Sequence, residues 1–217
     1  MRIALINGSP KRRGSASGCI LQHLQPLLEQ DGHATAAFSL HNPELAPQDA
    51  QGIGECDVLI FALPLYVDGL PSHLVSCLMQ LEESLAGSGR RQTVYAIVNC
   101  GFYEGHQAKW ALNILENWCH RTGLRWGYGI GLGAGGMLLS VENVPLGAGP
   151  TKSLAQALRQ LASRVSQGAG GENMFTTMNF PKLLYKLAAE IGWCRSAKAN
   201  GLKIRDLSKR RGADSRG

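Results

Sequence analysis

Ile3-Ala4-Leu5-Ile6-Asn7-Gly8-Ser9-Pro10-Lys11-Arg12-Arg13-Gly14-Ser15-Ala16-Ser17 joins a short apolar run to a turn of glycine, serine and basic residues. A helical repeat follows, with Ile20, Leu21, Leu24, Leu27 and Leu28 on one face. A strand, a glycine-rich turn and a helix in that order make an anion site. The free amides at the helix start and the positive end of its dipole both favour a phosphate. Ser9, Ser15 and Ser17 add hydroxyls, and Lys11, Arg12 and Arg13 add positive charge. One serine would suffice as a helix cap. Three hydroxyls and three bases within nine residues exceed that need. No Gly-Lys-[Ser/Thr] stands at the spacing of a nucleotide P-loop.

Working outward, residues 34–40 read as a second, weaker strand, and Asp57-Val58-Leu59-Ile60-Phe61-Ala62 as a strand buried on both faces. Residues 93–98 and 124–130 supply a fourth and a fifth strand. Helical spacing recurs after Pro71 (Leu74, Val75, Leu78, Met79, Leu81), over about 105–120 and over 154–165. The connection between the second and third strands reads as a short loop. This alternation predicts an α/β fold with a doubly wound, five-stranded parallel sheet of order 2-1-3-4-5. In such a sheet, ligands sit beyond the carboxyl ends of the strands, where the strand order reverses. Residues 1–167 form this domain. Gly168-Ala169-Gly170-Gly171 then reads as a linker into a helical extension over 168–194, whose apolar residues (Met174, Phe175, Met178, Leu183, Leu184, Leu187, Ile191) require cover, either from a second subunit in a homodimer or by folding back onto the chain's own sheet. A basic tail occupies 195–217.

The net charge of +6 belongs to that tail, which holds eight bases and two acids, so residues 1–194 are formally neutral. A nucleic-acid binder would carry the charge on its folded body as well; no nucleic acid is expected as a partner, and a run such as Lys209-Arg210-Arg211 reads as a solvated terminus. The six cysteines are scattered without a C-x-x-C, as expected for reduced thiols in the cytoplasm. Neither cysteines nor histidines show metal-ligand spacing. The opening apolar run is too short for a secretory signal, and no stretch is long enough to span a bilayer.

Two further loops leave central strands. Pro64-Leu65-Tyr66-Val67-Asp68-Gly69-Leu70-Pro71 is stiff and carries an aromatic that could stack on a flat ring. Asn99-Cys100-Gly101-Phe102-Tyr103-Glu104-Gly105 lets backbone approach a ligand at Gly101, with Phe102 or Tyr103 beside it. Cys100 reads as a small buried residue rather than a nucleophile. Gly131-Leu132-Gly133-Ala134-Gly135-Gly136 matches the dinucleotide fingerprint in form only, because it comes late and no helical pattern opens after it; it reads instead as a glycine-rich loop after the fifth strand that could border the same ligand.

Taken together, Gly8-Ser9-Pro10-Lys11, Gly14-Ser15-Ala16-Ser17 and Pro64-Leu65-Tyr66-Val67-Asp68-Gly69-Leu70-Pro71 resemble the phosphate loop and first ring loop of the NAD(P)H-dependent FMN reductase-like family, a branch of the flavodoxin-like superfamily. The resemblance implies FMN as cofactor and NAD(P)H as co-substrate. It implies that Ser9, Lys11, Ser15, Ala16 and Ser17 hold the phosphate, and that Pro64, Leu65, Tyr66, Val67, Asn99, Cys100, Gly101 and Tyr103 hold the ring. Backbone amides of the two ring loops would stabilise charge on the reduced ring, with no catalytic side chain required. A small-molecule electron acceptor and a homodimer follow as expected partners. The alternative is a flavodoxin-type electron carrier or flavin-binding protein with little turnover of its own.

Overall fold

A computed structural model describes residues 1–86 and 91–209; the end of the basic tail, 210–217, lies outside the described residues. Met1–Asn179 forms one compact unit and Phe180–Gly217 a second. The first unit runs β1 (Arg2–Asn7), α1 (Ala16–Gln30), β2 (Ala34–Ser39), α2 (Pro47–Gly54), β3 (Val58–Pro64), α3 (Ser72–Leu85), β4 (Thr93–Asn99), α4 (Lys109–Thr122), β5 (Arg125–Gly133), α5 (Lys152–Ser166) and β6 (Met174–Thr177). All neighbouring strands are parallel, in the order β2-β1-β3-β4-β5-β6. The chain order reverses between β1 and β3, as expected for the doubly wound sheet.

The sheet has six strands where the periodicity shows five. Residues 168–173 do not release the chain. They run along β5, held by Gly171 N–H to Gly127 O at 3.0 Å, Gly129 N–H to Asn173 Oδ1 at 2.7 Å, Tyr95 Oη to Ala169 O at 3.0 Å and Arg164 Nη1 to Gly170 O at 2.8 Å. Met174–Thr177 then pairs with Ile130–Gly133. The backbone groups on the outer edge of β5 need partners, and this short strand provides them. Met174 and Phe175 therefore belong to the sheet and not to an appendage awaiting a partner. A second departure is α2, which occupies the segment read as a loop. It starts at Pro47, whose fixed φ suits a first helical residue, and it buries only Ile53.

One face of the sheet presents Ala4, Ile6, Leu59, Phe61, Leu63, Val94, Ala96 and Val98 to α2, α3 and α4, which contribute Ile53, Leu74, Leu78, Leu81, Leu112, Leu115 and Trp118. This is the period-two register of strands, sorted onto one side. Trp118 stacks edge-on against Phe61 and donates through Nε1 to Leu78 O at 3.1 Å, which locks α4 to α3. The alternate strand residues, among them Ile60, Tyr95 and Tyr128, fill the opposite face, where Arg164 of α5 lies over the Tyr128 ring at 5.0 Å. With both faces filled, the carboxyl ends of the strands are where loops are free to form a site.

The second unit contains α6 (Lys182–Ala199) and a 3-10 turn at Ile204–Ser208. No helix among the described residues is long and apolar enough to cross a membrane.

Candidate functional site

At the end of β1 the side chain of Asn7 organises the glycine-serine turn. Its Oδ1 accepts from the Ser9 amide at 3.1 Å and its Nδ2 donates to Ser15 Oγ at 3.3 Å. Ser15 is the N-cap of α1: its Oγ accepts from the Gly18 amide at 3.0 Å and its carbonyl accepts from Cys19 N–H. That leaves the Ala16 and Ser17 amides without a partner among the described residues, at the positive end of a four-turn helix. Ser9, Ser15 and Ser17 are buried, whereas Lys11 to Gly14 face solvent. His41 braces the turn from β2 by a 2.9 Å contact between Nδ1 and Ser9 O.

Asn99, the last residue of β4, ties this turn to the neighbouring loops. Its buried amide Nδ2 donates to Ser17 Oγ and to Leu63 O, both at 2.9 Å. A carbonyl can only accept, so the Leu63 contact fixes which way the amide faces. The backbone continues the linkage: Leu65 N–H donates to Asn99 O at 2.8 Å, Cys100 N–H to Leu132 O at 2.9 Å and Gly135 N–H to Cys100 O at 2.8 Å. The loops after β1, β3, β4 and β5 are thereby joined at one point.

Tyr66 and Gly69 exchange a pair of backbone hydrogen bonds, closing a tight hairpin over Val67 and Asp68. Both central residues have positive φ, 47° and 60°. Such a turn suits Asn-Gly, so a β-branched valine there is strained. Val67 is also fully exposed.

A cavity of about 220 Å³ between these loops is lined by Ser9, Lys11, Ser15, Ala16, Ser17, Pro64, Leu65, Tyr66, Asn99 and Gly101. Gly136 and Leu139, from the 3-10 segment Gly135–Val141 after β5, complete it. Val67, Cys100 and Tyr103 do not line it. Cys100 Sγ points toward Phe102 O and Glu104 O, and burial pushes its thiol up, against a smaller lowering by the Phe102 carbonyl, so it stays protonated. Tyr103 gives its carbonyl to the Thr177 hydroxyl, close against Gly133. The second glycine of the fingerprint-like run thus serves to let this loop lie on β5. The amides of Leu65, Tyr66 and Cys100 are each used in the internal bonds above, so those three are not available to stabilise charge on a ligand. Gly136 belongs to the glycine-rich loop that the sequence suggests could border the ligand, whereas Leu139 carries no local signal, because a turn brings it over the cavity from β5. Among the described residues no group of three or more His, Cys, Asp or Glu is placed to hold a metal ion.

A lining that combines free amides, hydroxyls and Lys11 with the apolar side chains of Leu65, Tyr66 and Leu139 has the chemistry to take a ligand that joins a phosphate to an apolar group.

No family model matches the chain, and no curated protein matches it in sequence. Solved structures do. The apo form of an NADH:FMN oxidoreductase (EMOB) is 18% identical over 79% of this chain and 91% of its own, with a TM-score of 0.55. An NAD(P)H:quinone oxidoreductase from Methanothermobacter marburgensis is 17% identical over 77% of this chain and 95% of its own, with a TM-score of 0.53. A WrbA-like flavodoxin from Agrobacterium tumefaciens is 12% identical over 77% and 96%, with a TM-score of 0.54. At such identities the likeness speaks for architecture alone. The chain has the flavodoxin-like fold, with its glycine-serine turn at the topological switch point of the sheet.

Proposed function

We propose that the chain is an FMN-dependent NAD(P)H oxidoreductase acting on a small electron acceptor such as a quinone or a flavin. The observation that carries this reading is the buried Asn99 amide, which holds the phosphate turn and the loops beyond β3 and β4 around one cavity. The names of the similar structures support it, since they include quinone and FMN oxidoreductases.

In this reading the Ala16 and Ser17 amides, the three serine hydroxyls and Lys11 bind the 5′-phosphate of FMN. Pro64, Leu65 and Tyr66 wall one side of the ring, with Gly101, Gly136 and Leu139 across from them. Bound FMN would supply hydride acceptance from the nicotinamide and two-electron delivery to the acceptor. The chain's own part is to bind, orient and partly desolvate the ring. Tyr66 is half exposed and Phe102, in the loop after β4, more so, which leaves apolar surface for a second planar ligand. A homodimer belongs to the same reading and is supported by the exposed apolar side chains Val75 and Met79 on α3 and Trp110 and Ile114 on α4; sedimentation at micromolar concentration tests it.

The decisive experiment is anaerobic. Apoprotein is titrated with FMN by calorimetry, and the loaded protein is then mixed with NADH or NADPH while its absorbance near 450 nm is followed, a wavelength set by the flavin itself. Binding followed by rapid bleaching is expected. A loaded protein that neither nucleotide reduces would leave only the electron-carrier alternative, and a protein without flavin affinity would sink both.

A further inference from the structure

The second unit turns back on itself at Gly201. With a φ of 73°, this glycine ends α6: Leu202 N–H donates to Ala197 O at 2.9 Å and Gly201 N–H to Lys198 O at 3.0 Å, the paired bonds of a left-handed helix stop. The 3-10 turn Ile204–Ser208 then packs on α6, where Ala197 is the only buried side chain among the described residues of this unit. The larger apolar groups face outward. At 100° per residue, Leu183, Leu184, Leu187 and Ile191 fall within one arc of about 100° on α6, and all four are exposed. Lys182, Lys186 and Trp193 follow along one side of that arc, and Arg195 borders the other. Beyond Gly201, Leu202, Ile204 and Leu207 are each about half exposed and alternate with Lys203, Arg205 and Lys209. Among the described residues, this unit supplies eight of the sixteen large apolar side chains that stand exposed. That is too concentrated to be incidental surface.

Charge decides what covers these groups. Residues 180–217 hold ten of the chain's 22 Lys and Arg and three of its 16 Asp and Glu, which gives this unit a formal charge of +7 and leaves −1 on residues 1–179. Glu190 and Asp206 are each taken up by a neighbouring lysine, at 4.0 and 3.1 Å, whereas Arg195, Lys198, Lys203 and Arg205 have no ion pair among the described residues. A second copy of the unit would bring a like charge against them. A nucleic acid would meet the bases but leave the leucines in water. An anionic bilayer satisfies both sets at once: acyl chains take the apolar groups, headgroup phosphates take the bases, and the long stems of Lys and Arg let their charges reach the headgroups. The unit would lie on such a surface and not cross it, since α6 is not apolar enough to span.

We propose that α6 and the turn after it dock the protein onto an anionic lipid surface, with the leucine face at the acyl boundary and the bases among the phosphates. The proposal is independent of the flavin reading. Co-sedimentation of the full chain tests it, using vesicles of phosphatidylcholine alone and vesicles in which phosphatidylglycerol replaces about a third of the lipid. The mixed vesicles should be bound at least about tenfold more tightly than the neutral ones. Salt at about 1 M, where charges are screened beyond about 3 Å, should weaken that binding. Leu187→Glu with Ile191→Glu should abolish it. Lys198→Gln, Lys203→Gln and Arg205→Gln together should weaken it by about a hundredfold, from about fivefold for each base. Glutamine keeps helical propensity, so this second variant stays informative even where the glutamates melt α6. Equal affinity for both vesicle types, no affinity for either, or full binding by the glutamate variant overturns the proposal. It is overturned equally by a chain that ignores vesicles but binds duplex DNA, or that ignores vesicles and forms a dimer which the glutamate variant dissociates.

Discussion

Replacing Asn99 with leucine should loosen the site from its centre. Leucine keeps the branched, four-heavy-atom outline of asparagine, so the change removes hydrogen bonds without opening a void. Two bonds at 2.9 Å are lost from one buried amide, to Ser17 Oγ and Leu63 O. At about 1 kcal/mol net for each, the fold loses about 2 kcal/mol. For a chain of this size that corresponds to a fall in Tm of roughly 4–8 °C. Ser17 also loses the partner that orients its hydroxyl toward the cradle, so FMN affinity should fall by about tenfold, the equivalent of one charge-assisted contact. Asn99→Asp provides a sharper contrast. An ionised carboxylate would set an oxygen against Leu63 O and add negative charge beside the phosphate, so this variant should be the weaker binder at neutral pH. Its affinity and stability should recover as the pH falls and the carboxyl regains a proton to donate. Urea unfolding and FMN calorimetry at pH 5 and pH 8 measure both effects. An Asn99→Leu protein with the parental urea midpoint and FMN affinity would refute the role given to this amide.

Three other outcomes are expected. Val67→Asn should raise stability by about 1 kcal/mol in urea unfolding, because the left-handed backbone penalises a β-branched residue and this exposed side chain gives up no packing; an unchanged midpoint would show the turn to be unstrained. Gly133→Ala should cost more than about 2 kcal/mol, since its Cβ would meet the Tyr103 carbonyl, a backbone atom held by Thr177; a stable, readily purified variant would contradict that close approach. Burial pushes the Cys119 thiol and the Tyr128 phenol each up to about 12, so above their ordinary values the unfolded chain loses protons that the folded chain keeps. Stability should therefore fall as pH rises from about 8.5, by up to about 1.4 kcal/mol per pH unit for each group. The slope between pH 8.5 and 10 should flatten in Cys119→Ala, measured by urea midpoints.

The sheet was legible where strands are buried on both faces. β1, β3 and β4 stand out as unbroken apolar runs because every position meets either the α1 and α5 side or the α2 to α4 side. β6 was not legible, since four half-buried residues, Met-Phe-Thr-Thr, show neither a run nor an alternation. In α2, Pro47-Gln48-Asp49-Ala50-Gln51-Gly52-Ile53-Gly54 buries a single large side chain, too little for a helical period to emerge. The geometry of the glycine-serine turn could be read because its groups are contiguous in sequence and a helix start dictates their placement. The loops after β3 and β4 could be located but not resolved residue by residue. At the end of β4 neighbouring residues diverge: Asn99 and Gly101 line the cavity, Cys100 Sγ turns back onto the carbonyls of its own loop, and the Tyr103 carbonyl meets Thr177 of β6. The placement of Asn99 and Tyr103 depends on partners more than thirty residues away. Leu139 reaches the cavity for the same non-local reason.

The shortness of β6 has a consequence for the protein in solution. Without Met174–Thr177, the nine residues of β5 would form the outer rim of the sheet, with a long row of open backbone donors and acceptors. Such a rim is a template onto which another molecule can add its own strand, growing toward fibres and precipitates. A four-residue strand pairs with the end of β5, the segment before it covers more of the same flank, and Pro181 follows soon after to discourage extension. Residues 168–177 thus cap the flank of β5, and their removal would open that edge to strand addition.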